Sequence, residues 1–426
     1  AGVNSVIPSE LIPSRVKIRD NCLIVTDHIF SLDLVNDIYV IGAGKASAAM
    51  GAEIEKILGS RIKAGHIIVK KGHSCRLKQI KVTEAGHPVP DNNGFEATQS
   101  ILSMVSEANA NDLVICLISG GGSSLLADHP EGSSPGEMIL LNDLLVRSGA
   151  SISEINAVRK HLSGVKGGQL ARAIYPATCI SLILSDVPGD PLDVIASGPT
   201  VPDTTTFDDA FGVLSKYDLV RSMPQSLLKH IIAGQDGSIP ETPHSADTIF
   251  KKTYNILIGT NSTALEAAKQ KALQHNINAI IVETELQGDV ATVAEYLVQA
   301  ALQFRDNDSE VKPVCLLFGG ETTIKVTGEG KGGRNQHLVL VASTLLKDQP
   351  AITILSGGTD GNDGNSNAAG AVADSMTYAA ALEKRLDPEK YIAGFDSFNF
   401  FKKAGGLIAT GPTMTNVMDL IVVVIE

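Results

Sequence analysis

The chain has 426 residues, which is long enough for two α/β domains with a core each. Aromatic residues make up only 4% of it and Trp is absent, so we expect cores of Val, Ile, Leu and Ala, as in parallel sheets covered by helices. A formal net charge of -12 argues against nucleic acid and anionic membranes as partners, although a local basic patch could still bind phosphate.

The five cysteines predict neither a disulfide framework nor a zinc site. They lie far apart and form no C-x-x-C pair, which is typical of reduced thiols in a cytoplasmic protein. No run approaches the roughly 20 apolar residues of a membrane span, and the N-terminus lacks the pattern of a signal peptide. We therefore expect a soluble, cytoplasmic protein. The oligomeric state stays open, and a homodimer is compatible with the sequence.

Short apolar runs alternate with helical patterns along the chain. The run Ile38–Ile41 precedes a glycine-rich turn and a helical pattern at Ala46–Leu58. Further apolar runs lie at Leu113–Ile118, Ile180–Leu184 and Val314–Phe318. Strands that alternate with helices predict an α/β fold with a mainly parallel, doubly wound sheet, whose ligands bind beyond the carboxyl ends of the strands.

A polar stretch rich in Gly and Pro, residues 233–244, interrupts this alternation. A fresh strand, turn and helix pattern begins at Asn255. We therefore predict an N-terminal α/β domain over residues 1–235, a linker over 236–250 and a smaller C-terminal α/β domain over 251–426.

The first glycine-rich turn carries Lys45 at the start of a helical pattern, in the string GAGKAS. Glycines let backbone amides approach an anion, and the helix N-terminus adds partial positive charge. Tyr39 stands where a Walker A loop has its first glycine, and Ser47 where a dinucleotide fingerprint has its third. The turn therefore indicates an anion site that matches neither motif, although a purely structural turn is an alternative.

The second glycine-rich turn follows the run Leu113–Ile118. Its amides and hydroxyls can form a nest around phosphate oxygens. A serine nucleophile is an alternative, but the G-x-S-x-G elbow is absent. The candidate phosphate-binding residues are Ser119, Gly120, Gly121, Gly122, Ser123 and Ser124.

The densest basic cluster of the chain follows, with Arg159, Lys160, His161 and Lys166. Arg and Lys can neutralise a phosphate or a substrate carboxylate. A solvated helix face is the alternative interpretation. The glycines around Lys166 favour a binding role, because they bring backbone close to a ligand.

Acidic side chains follow two predicted strands. Asp186 and Asp190 come after Ile180–Leu184, and Asp360 and Asp363 come after a later apolar run. A carboxylate at the end of a strand can hold Mg²⁺ or accept a proton. Ordinary turn chemistry is the alternative.

A third cationic loop, residues 328–336, surrounds Lys331 with glycines and ends at Arg334, where a helix is expected to begin. An arginine in such a loop can stabilise charge that develops during phosphoryl transfer. Six glycine-rich loops, four of which carry Lys, Arg or Asp, together indicate phosphate handling in a cleft between two domains.

The chain resembles the glycerate 2-kinase family, the class II glycerate kinases, from about residue 30 to Glu426. The strings that carry the resemblance are GAGKAS, SGGGSSLL, NAVRKHLSGVKGGQLA, LSDVPGD, IASGPTVPD, GGETT, GKGGRNQ, GGTDGNDG and TGPTMTNVMDL. The resemblance implies an N-terminal Rossmann-like domain, a smaller C-terminal domain, and ATP- and Mg²⁺-dependent phosphorylation of D-glycerate, most often to 2-phosphoglycerate. It also implies that Lys45 and Arg334 are the lysine and arginine of an active site between the domains.

On this basis we assign provisional roles. Lys45, Arg334 and Asp186 are the candidate catalytic residues, and Lys45, Arg159 and Arg334 the candidates for binding substrate. The Ser119–Ser124 turn and Lys166 would hold the ATP phosphates. The candidate metal ligands are Asp186, Asp190 and Asp360.

Three positions depart from the family pattern: His337 replaces a Glu, Asn367 an acidic residue and Phe395 an Asn. The replacement at Asn367 argues against a metal or substrate role at that position. Two other functions stay open: a nicotinamide-dependent hydroxypyruvate reductase, which would need a dinucleotide site, and a sensor that binds without turnover.

Overall fold

The computed structural model describes residues 1–307 and 312–426. Contacts between Cα atoms divide them into two compact units. The N-terminal unit comprises Leu11–Ser185 and Pro191–Ile258. The C-terminal unit comprises Ala1–Glu10, Asp186–Asp190 and Gly259–Glu426.

This division departs from the ranges predicted above, because residues 236–258 pack within the N-terminal unit, and Ala1–Glu10 and Asp186–Asp190 within the C-terminal unit. Thr242 is buried, and its hydroxyl donates to the buried carboxylate of Asp203 at 3.1 Å. His244 Nδ1 lies 3.0 Å from the backbone oxygen of Asp203. These contacts fix a stretch whose polar composition suggested a linker.

The N-terminal unit begins with a small antiparallel sheet and contains a six-stranded sheet. The small sheet consists of β1 (Val16–Arg19), β2 (Cys22–Val25) and β3 (His28–Ser31). The large sheet consists of β4 (Ile38–Ala43), β5 (Ile62–Lys70), β6 (Ile80–Ala85), β7 (Leu113–Ile118), β8 (Thr178–Leu184) and β9 (Thr253–Gly259). Its strand order is β6-β5-β4-β7-β8-β9, and β4–β5, β4–β7, β5–β6 and β7–β8 pair in parallel.

Numbered within the sheet, this order is 3-2-1-4-5-6, the doubly wound order of dinucleotide-binding folds. Every residue of β4 and β7 is buried, as expected for continuous apolar runs covered by helices on both faces. The order reverses between β4 and β7, and ligands of such sheets bind beyond the carboxyl ends of the strands at this switch point. The predicted Rossmann-like fold is confirmed.

Helices surround this sheet, and several have N-caps that the sequence explains. Ser134 accepts from the amide of Glu137, and Ser151 forms a capping box with Glu154. The helices of the first 235 residues are α1 (Gly2–Ser5), α2 (Pro8–Arg15), α3 (Ser47–Leu58), α4 (Asn92–Ser106), α5 (Gly122–Leu125), α6 (Pro135–Arg147), α7 (Ile152–Lys160), α8 (Gln169–Ile174), α9 (Phe207–Lys216) and α10 (Gln225–Gln235). Of these, α1 belongs to the C-terminal unit.

The C-terminal unit contains a mixed six-stranded sheet. Its strands are β10 (Asn278–Asp289), β11 (Val314–Thr323), β12 (Ile352–Gly358), β13 (Gly370–Asp374), β14 (Leu407–Ile408) and β15 (Asp419–Ile425). They lie in the order β10-β11-β15-β12-β13-β14. Strands β10 and β11 pair in parallel, whereas the other four strand pairs found among the described residues of this sheet are antiparallel. The mainly parallel pattern expected of the chain therefore holds for the first sheet but not for the second.

One hydrophobic core joins this sheet to its helices, with Phe318, Leu338 and Phe400 among the fully buried side chains. The helices are α11 (Asn261–Gln274), α12 (Val290–Arg305), α13 (Arg334–Leu345), α14 (Thr377–Glu383), α15 (Pro388–Ala393) and α16 (Ser397–Ala404). Over the described ranges, no helix combines the length and the hydropathy needed to span a bilayer.

Candidate functional site

Two glycine-rich loops meet at the switch point of the first sheet, where Ser119 joins them. The Ser119 hydroxyl accepts from the amide of Ala46 at 3.0 Å and lies 3.1 Å from the hydroxyl of Ser47. The amide of Lys45 donates to the backbone oxygen of Gly120 at 2.9 Å. Gly44 is required by this contact: a Cβ there would lie 2.1 Å from Ser119 Oγ. Ser119 is itself fully buried, so its hydroxyl holds the loops together.

The remaining serines of the second loop also bond within the protein. Ser123 Oγ lies 2.7 Å from Ser197 Oγ, and Ser124 Oγ donates to the backbone oxygen of Gly121 at 3.2 Å. Gly121 has φ +83°, a backbone conformation that favours glycine. The loop is therefore a rigid turn between β7 and α5.

His87 was missed by the sequence analysis. It follows β6 at the same edge of the sheet, and its Nε2 would lie 2.7 Å from a Cβ at Gly121. Burial, together with the nearby charges of Lys45, Lys70 and His73, lowers the pKa of His87 to about 4. Its buried Nδ1 has no hydrogen-bond partner. The signal that could have found it is its position two residues after a strand of the sheet whose central strands, β4 and β7, precede the glycine-rich loops.

The predicted basic cluster separates into one accessible cation and three internally paired side chains. Lys166 Nζ donates to the backbone oxygen of Leu126 at 2.7 Å and lies 3.5 Å from Asp128. Burial lowers the pKa of Lys166 to about 8, against the opposing charge of Asp128. Lys166 is thus held in a buried pair, which argues against the predicted contact with ATP phosphates.

Of the other three members of the basic cluster, Lys160 and His161 are paired within the protein and Arg159 is not paired with a carboxylate in the described contacts. Lys160 pairs with Asp203 at 3.1 Å, and His161 lies 3.1 Å from Glu241. Arg159 Nη2 donates to the backbone oxygen of Ser123 at 3.4 Å, which places it beside the second glycine-rich loop. Arg159 is the member of the cluster that this geometry leaves available for an anion.

The three predicted metal ligands all belong to the C-terminal unit but form no metal cluster. The side-chain Nδ2 of Asn416 donates to Asp186 Oδ2 at 3.2 Å. Asp190 has a buried Oδ1 without a hydrogen-bond partner, whereas Asp360 Oδ1 accepts from the amide of Asn362 at 3.0 Å. Within the described residues, no three His, Cys, Asp or Glu side chains are grouped to hold an ion.

Arg334 begins α13 and is held by two carboxylates that the sequence analysis did not assign. Its Nε and Nη2 donate to Asp419 at 2.6 and 3.0 Å, and its Nη1 lies 2.6 Å from Glu321. Burial opposes the charge of Arg334, but the hydrogen bonds that it donates to Asp419 raise its pKa above the usual value. Asp419 lies in the string TGPTMTNVMDL, which carries the family resemblance, but the sequence does not show that it pairs with Arg334.

Asp363 caps the helix that carries Arg334, rather than standing in a metal site. It accepts from the amides of Asn335 and Gln336 at 3.1 and 2.8 Å, which are N-terminal donors of α13. Burial raises the pKa of Asp363 to about 6, although these hydrogen bonds oppose the change.

Two departures from the family pattern meet beside Arg334. His337 and Phe395 stack with ring centroids 5.1 Å apart and an angle of 10° between the rings. Both line a cavity of about 280 Å³ together with Arg334, Asn365 and Ser397. The two replacements are therefore structurally coupled.

A Rossmann-like sheet with glycine-rich loops and cations at its carboxyl edge is the arrangement of a protein that handles nucleotides or phosphates. Two family models match the chain: "Domain of unknown function (DUF4147)" over residues 1–232 and "MOFRL family" over residues 314–419. The chain belongs to the glycerate kinase family that combines these domains.

Individual relatives cover almost the whole chain. Glycerate 2-kinase of Pyrococcus horikoshii is 40% identical over 425 residues, 99% of this chain and 94% of that protein. D-glycerate 2-kinase of Thermotoga maritima is 41% identical over 391 residues, 90% of each chain. The crystal structure of glycerate kinase from Thermotoga maritima has a TM-score of 0.88 at 38% identity, covering 100% of this chain and 97% of that chain.

Proposed function

We propose that the protein is a glycerate 2-kinase, which transfers the γ-phosphoryl group of ATP to a hydroxyl of D-glycerate. The full-length similarity to glycerate 2-kinases supports the reaction and the substrate. The observation that carries the proposal is the pair of glycine-rich loops joined by Ser119 at the switch point, with Lys45 at their centre. A dinucleotide fingerprint is missing from the first loop, which argues against the hydroxypyruvate reductase alternative.

In the N-terminal unit, Lys45 and Arg159 are the proposed cations for phosphate oxygens. Phosphoryl transfer requires positioning and charge neutralisation more than covalent chemistry. The rigid turn at Gly121 and Gly122 fixes backbone near the ends of β4 and β7, so it can present amides without reorganisation. The hydroxyls of Ser119 and Ser123 are proposed to hold this turn in shape.

In the C-terminal unit, Arg334 is the proposed cation for the glycerate carboxylate or the transferring phosphoryl group. Asp419 and Glu321 hold three of its nitrogens, so the guanidinium has a fixed orientation before any ligand binds. Asp363 fixes the first turn of α13 and hence the backbone of Arg334.

Asp186 and Asp190 are the carboxylates proposed to hold Mg²⁺. The buried, unpartnered Oδ1 of Asp190 fits this role, because a buried carboxylate oxygen without a donor is costly. Two carboxylates suffice, since Mg²⁺ keeps several water ligands and binds substrate phosphates. When bound, the ion would neutralise triphosphate charge. Asp360 is the weaker candidate, because its Oδ1 already accepts a backbone hydrogen bond.

The proposal includes small-molecule substrates only, a cytoplasmic setting and an oligomeric state of one or two chains. The five cysteines are free thiols, and burial raises the pKa of Cys179 to about 12 and of Cys315 to about 11. Buried thiols with a raised pKa react slowly with oxidants, and free thiols fit a reducing compartment.

Incubation with ATP, MgCl₂ and D-glycerate tests the function directly. We expect ADP formation that depends on D-glycerate, and 2-phosphoglycerate as the product identified by ³¹P NMR. Absence of ADP release, together with oxidation of NADH by hydroxypyruvate, would show that the protein is a reductase instead. Detection of 3-phosphoglycerate instead would support kinase activity but show that the other hydroxyl is phosphorylated.

A further inference from the structure

The N-terminal unit contains a cavity of about 710 Å³ whose apolar walls have no role in the function proposed above. One wall is the loop after β6, and the other is a face of α6. Six apolar residues form these walls and are called the base slot below: Pro88, Val89, Pro90, Ile139, Leu140 and Val146.

The base slot concentrates exposed apolar surface. Val89 is 60% exposed, Leu140 48% and Val146 67%. Single exposed apolar side chains are ordinary in soluble proteins, but a group of them around one cavity marks a binding surface. The volume lies in the range of about 300 to 1,000 Å³ that is usual for small-molecule sites.

One end of the cavity is polar and reaches the second glycine-rich loop. Ser124 and Arg159 line it, and Arg159 Nη2 also donates to the backbone oxygen of Ser123. An adjoining space of about 20 Å³ is lined by Ser123, Arg159 and Asn142. The surface around the Arg159 guanidinium is therefore continuous with the apolar walls of the base slot.

We propose that the base slot binds the purine ring of the phosphoryl donor, with its phosphates toward Ser124 and Arg159. A purine has two flat, apolar faces, which the aliphatic walls from two different elements can cover. Its edge carries hydrogen-bond donors and acceptors, and the Asn142 amide supplies both. This inference rests on the proposed function, because ATP is the donor there.

A pair of variants with opposite charges tests the slot. Leu140→Asp and Leu140→Lys both remove apolar contact with the ring and place a charge in the slot. We expect each to raise the KM for ATP about tenfold, the factor that corresponds to about 1.4 kcal/mol. A purely electrostatic effect on the triphosphate would move the two KM values in opposite directions, which would contradict the proposal.

Ile232→Asp is the matched control, because Ile232 is 46% exposed in the same unit but does not line the cavity. Its KM for ATP is expected to equal that of the wild type. Light scattering accompanies the kinetics: unchanged KM values in both Leu140 variants, with a loss of dimer mass, would assign the surface to a second copy of the chain.

Photolabelling separates failure of the slot from failure of the proposed function. We expect 2-azido-ATP to label peptides that contain residues 88–90 or 135–147 of the wild-type protein, with protection by ATP. Labelling of these peptides without turnover of D-glycerate would support purine binding in the base slot but refute the proposed kinase activity. Turnover with labelling confined to other peptides would refute the slot and retain the kinase, and absence of both labelling and turnover would refute both.

Discussion

Arg334 and Asp419 form a two-point ion pair across 85 residues of sequence, with N–O distances of 2.6 and 3.0 Å. The carboxylate of Asp419 is almost fully buried at the start of β15, whereas about a third of the Arg334 side chain is exposed. Arg334 is thus anchored on its inner side and accessible on the other. Its availability to a ligand depends on a residue that need not touch that ligand.

Asp419→Asn is expected to lower the free energy of unfolding by about 3 kcal/mol, because it removes the buried one of the two carboxylates that pair with Arg334. The loss of orientation should also reduce kcat/KM at least about tenfold. Glu321→Gln is the control: its carboxylate is 41% exposed, so about 1 kcal/mol or less should be lost. Urea unfolding and initial rates measure both quantities, and equal effects of the two variants would contradict the argument.

Lys45→Ala should reduce kcat/KM for ATP and D-glycerate by roughly 10²-fold, which is typical for loss of one charged contact to the transition state. Lys56→Ala is a control from α3, because Lys56 is 69% exposed and forms an ion pair with neighbouring Glu53 in the same helix. We expect that control to keep wild-type rates. Near-normal kinetics in a folded Lys45→Ala protein would remove Lys45 from the catalytic residues.

Asp363 should make stability depend on pH between about 4 and 6. Burial raises its pKa from 3.8 to about 6, so the folded state binds more protons than the unfolded state in that interval. Stability contributed by the site therefore falls as pH rises, by about 3 kcal/mol in total, and the slope ends above pH 6. Asp363→Asn should lack this slope in denaturant titrations at several pH values. Parallel curves for both proteins would show that the carboxyl group is not perturbed.

Gly121→Ala should disturb His87 beyond the ordinary cost of a residue with positive φ. Gly132 has φ +79°, close to the +83° of Gly121, but a Cβ at Gly132 meets open space. We expect Gly132→Ala to cost about 1 to 2 kcal/mol and Gly121→Ala at least about 1 kcal/mol more. His87→Ala in the Gly121→Ala background should recover the difference. Equal unfolding energies for the two glycine variants would contradict the close approach of His87.

Local patterns were sufficient to predict the elements that position the candidate site. The apolar runs of β4 and β7 predicted buried parallel strands, and the glycines after them predicted tight turns. The sheet order follows the doubly wound pattern expected of such alternation. These features depend on neighbours along the chain, which a sequence displays directly.

Pairing between distant residues could not be predicted in the same way. Lys166 is predicted from the sequence to bind phosphate, but the sequence does not show that Asp128, 38 residues earlier, lies 3.5 Å from its Nζ. Asp363 looked like a metal ligand, but the fold places it against the amides of α13. The sequence shows that a residue is charged, but it does not show whether that charge pairs with another side chain or with a ligand.

The chain passes between the two compact units four times, since Ala1–Glu10 and Asp186–Asp190 belong to the C-terminal unit. Thr415 donates to the backbone oxygen of Val6 at 2.6 Å, and β15 lies between β11 and β12. During synthesis on the ribosome, residues 1–10 therefore cannot complete their native contacts until the region of β15, some 400 residues later, has been made. A fragment that starts at Gly259 would lack two of its own pieces, so cleavage or separate expression should not yield a self-sufficient C-terminal half.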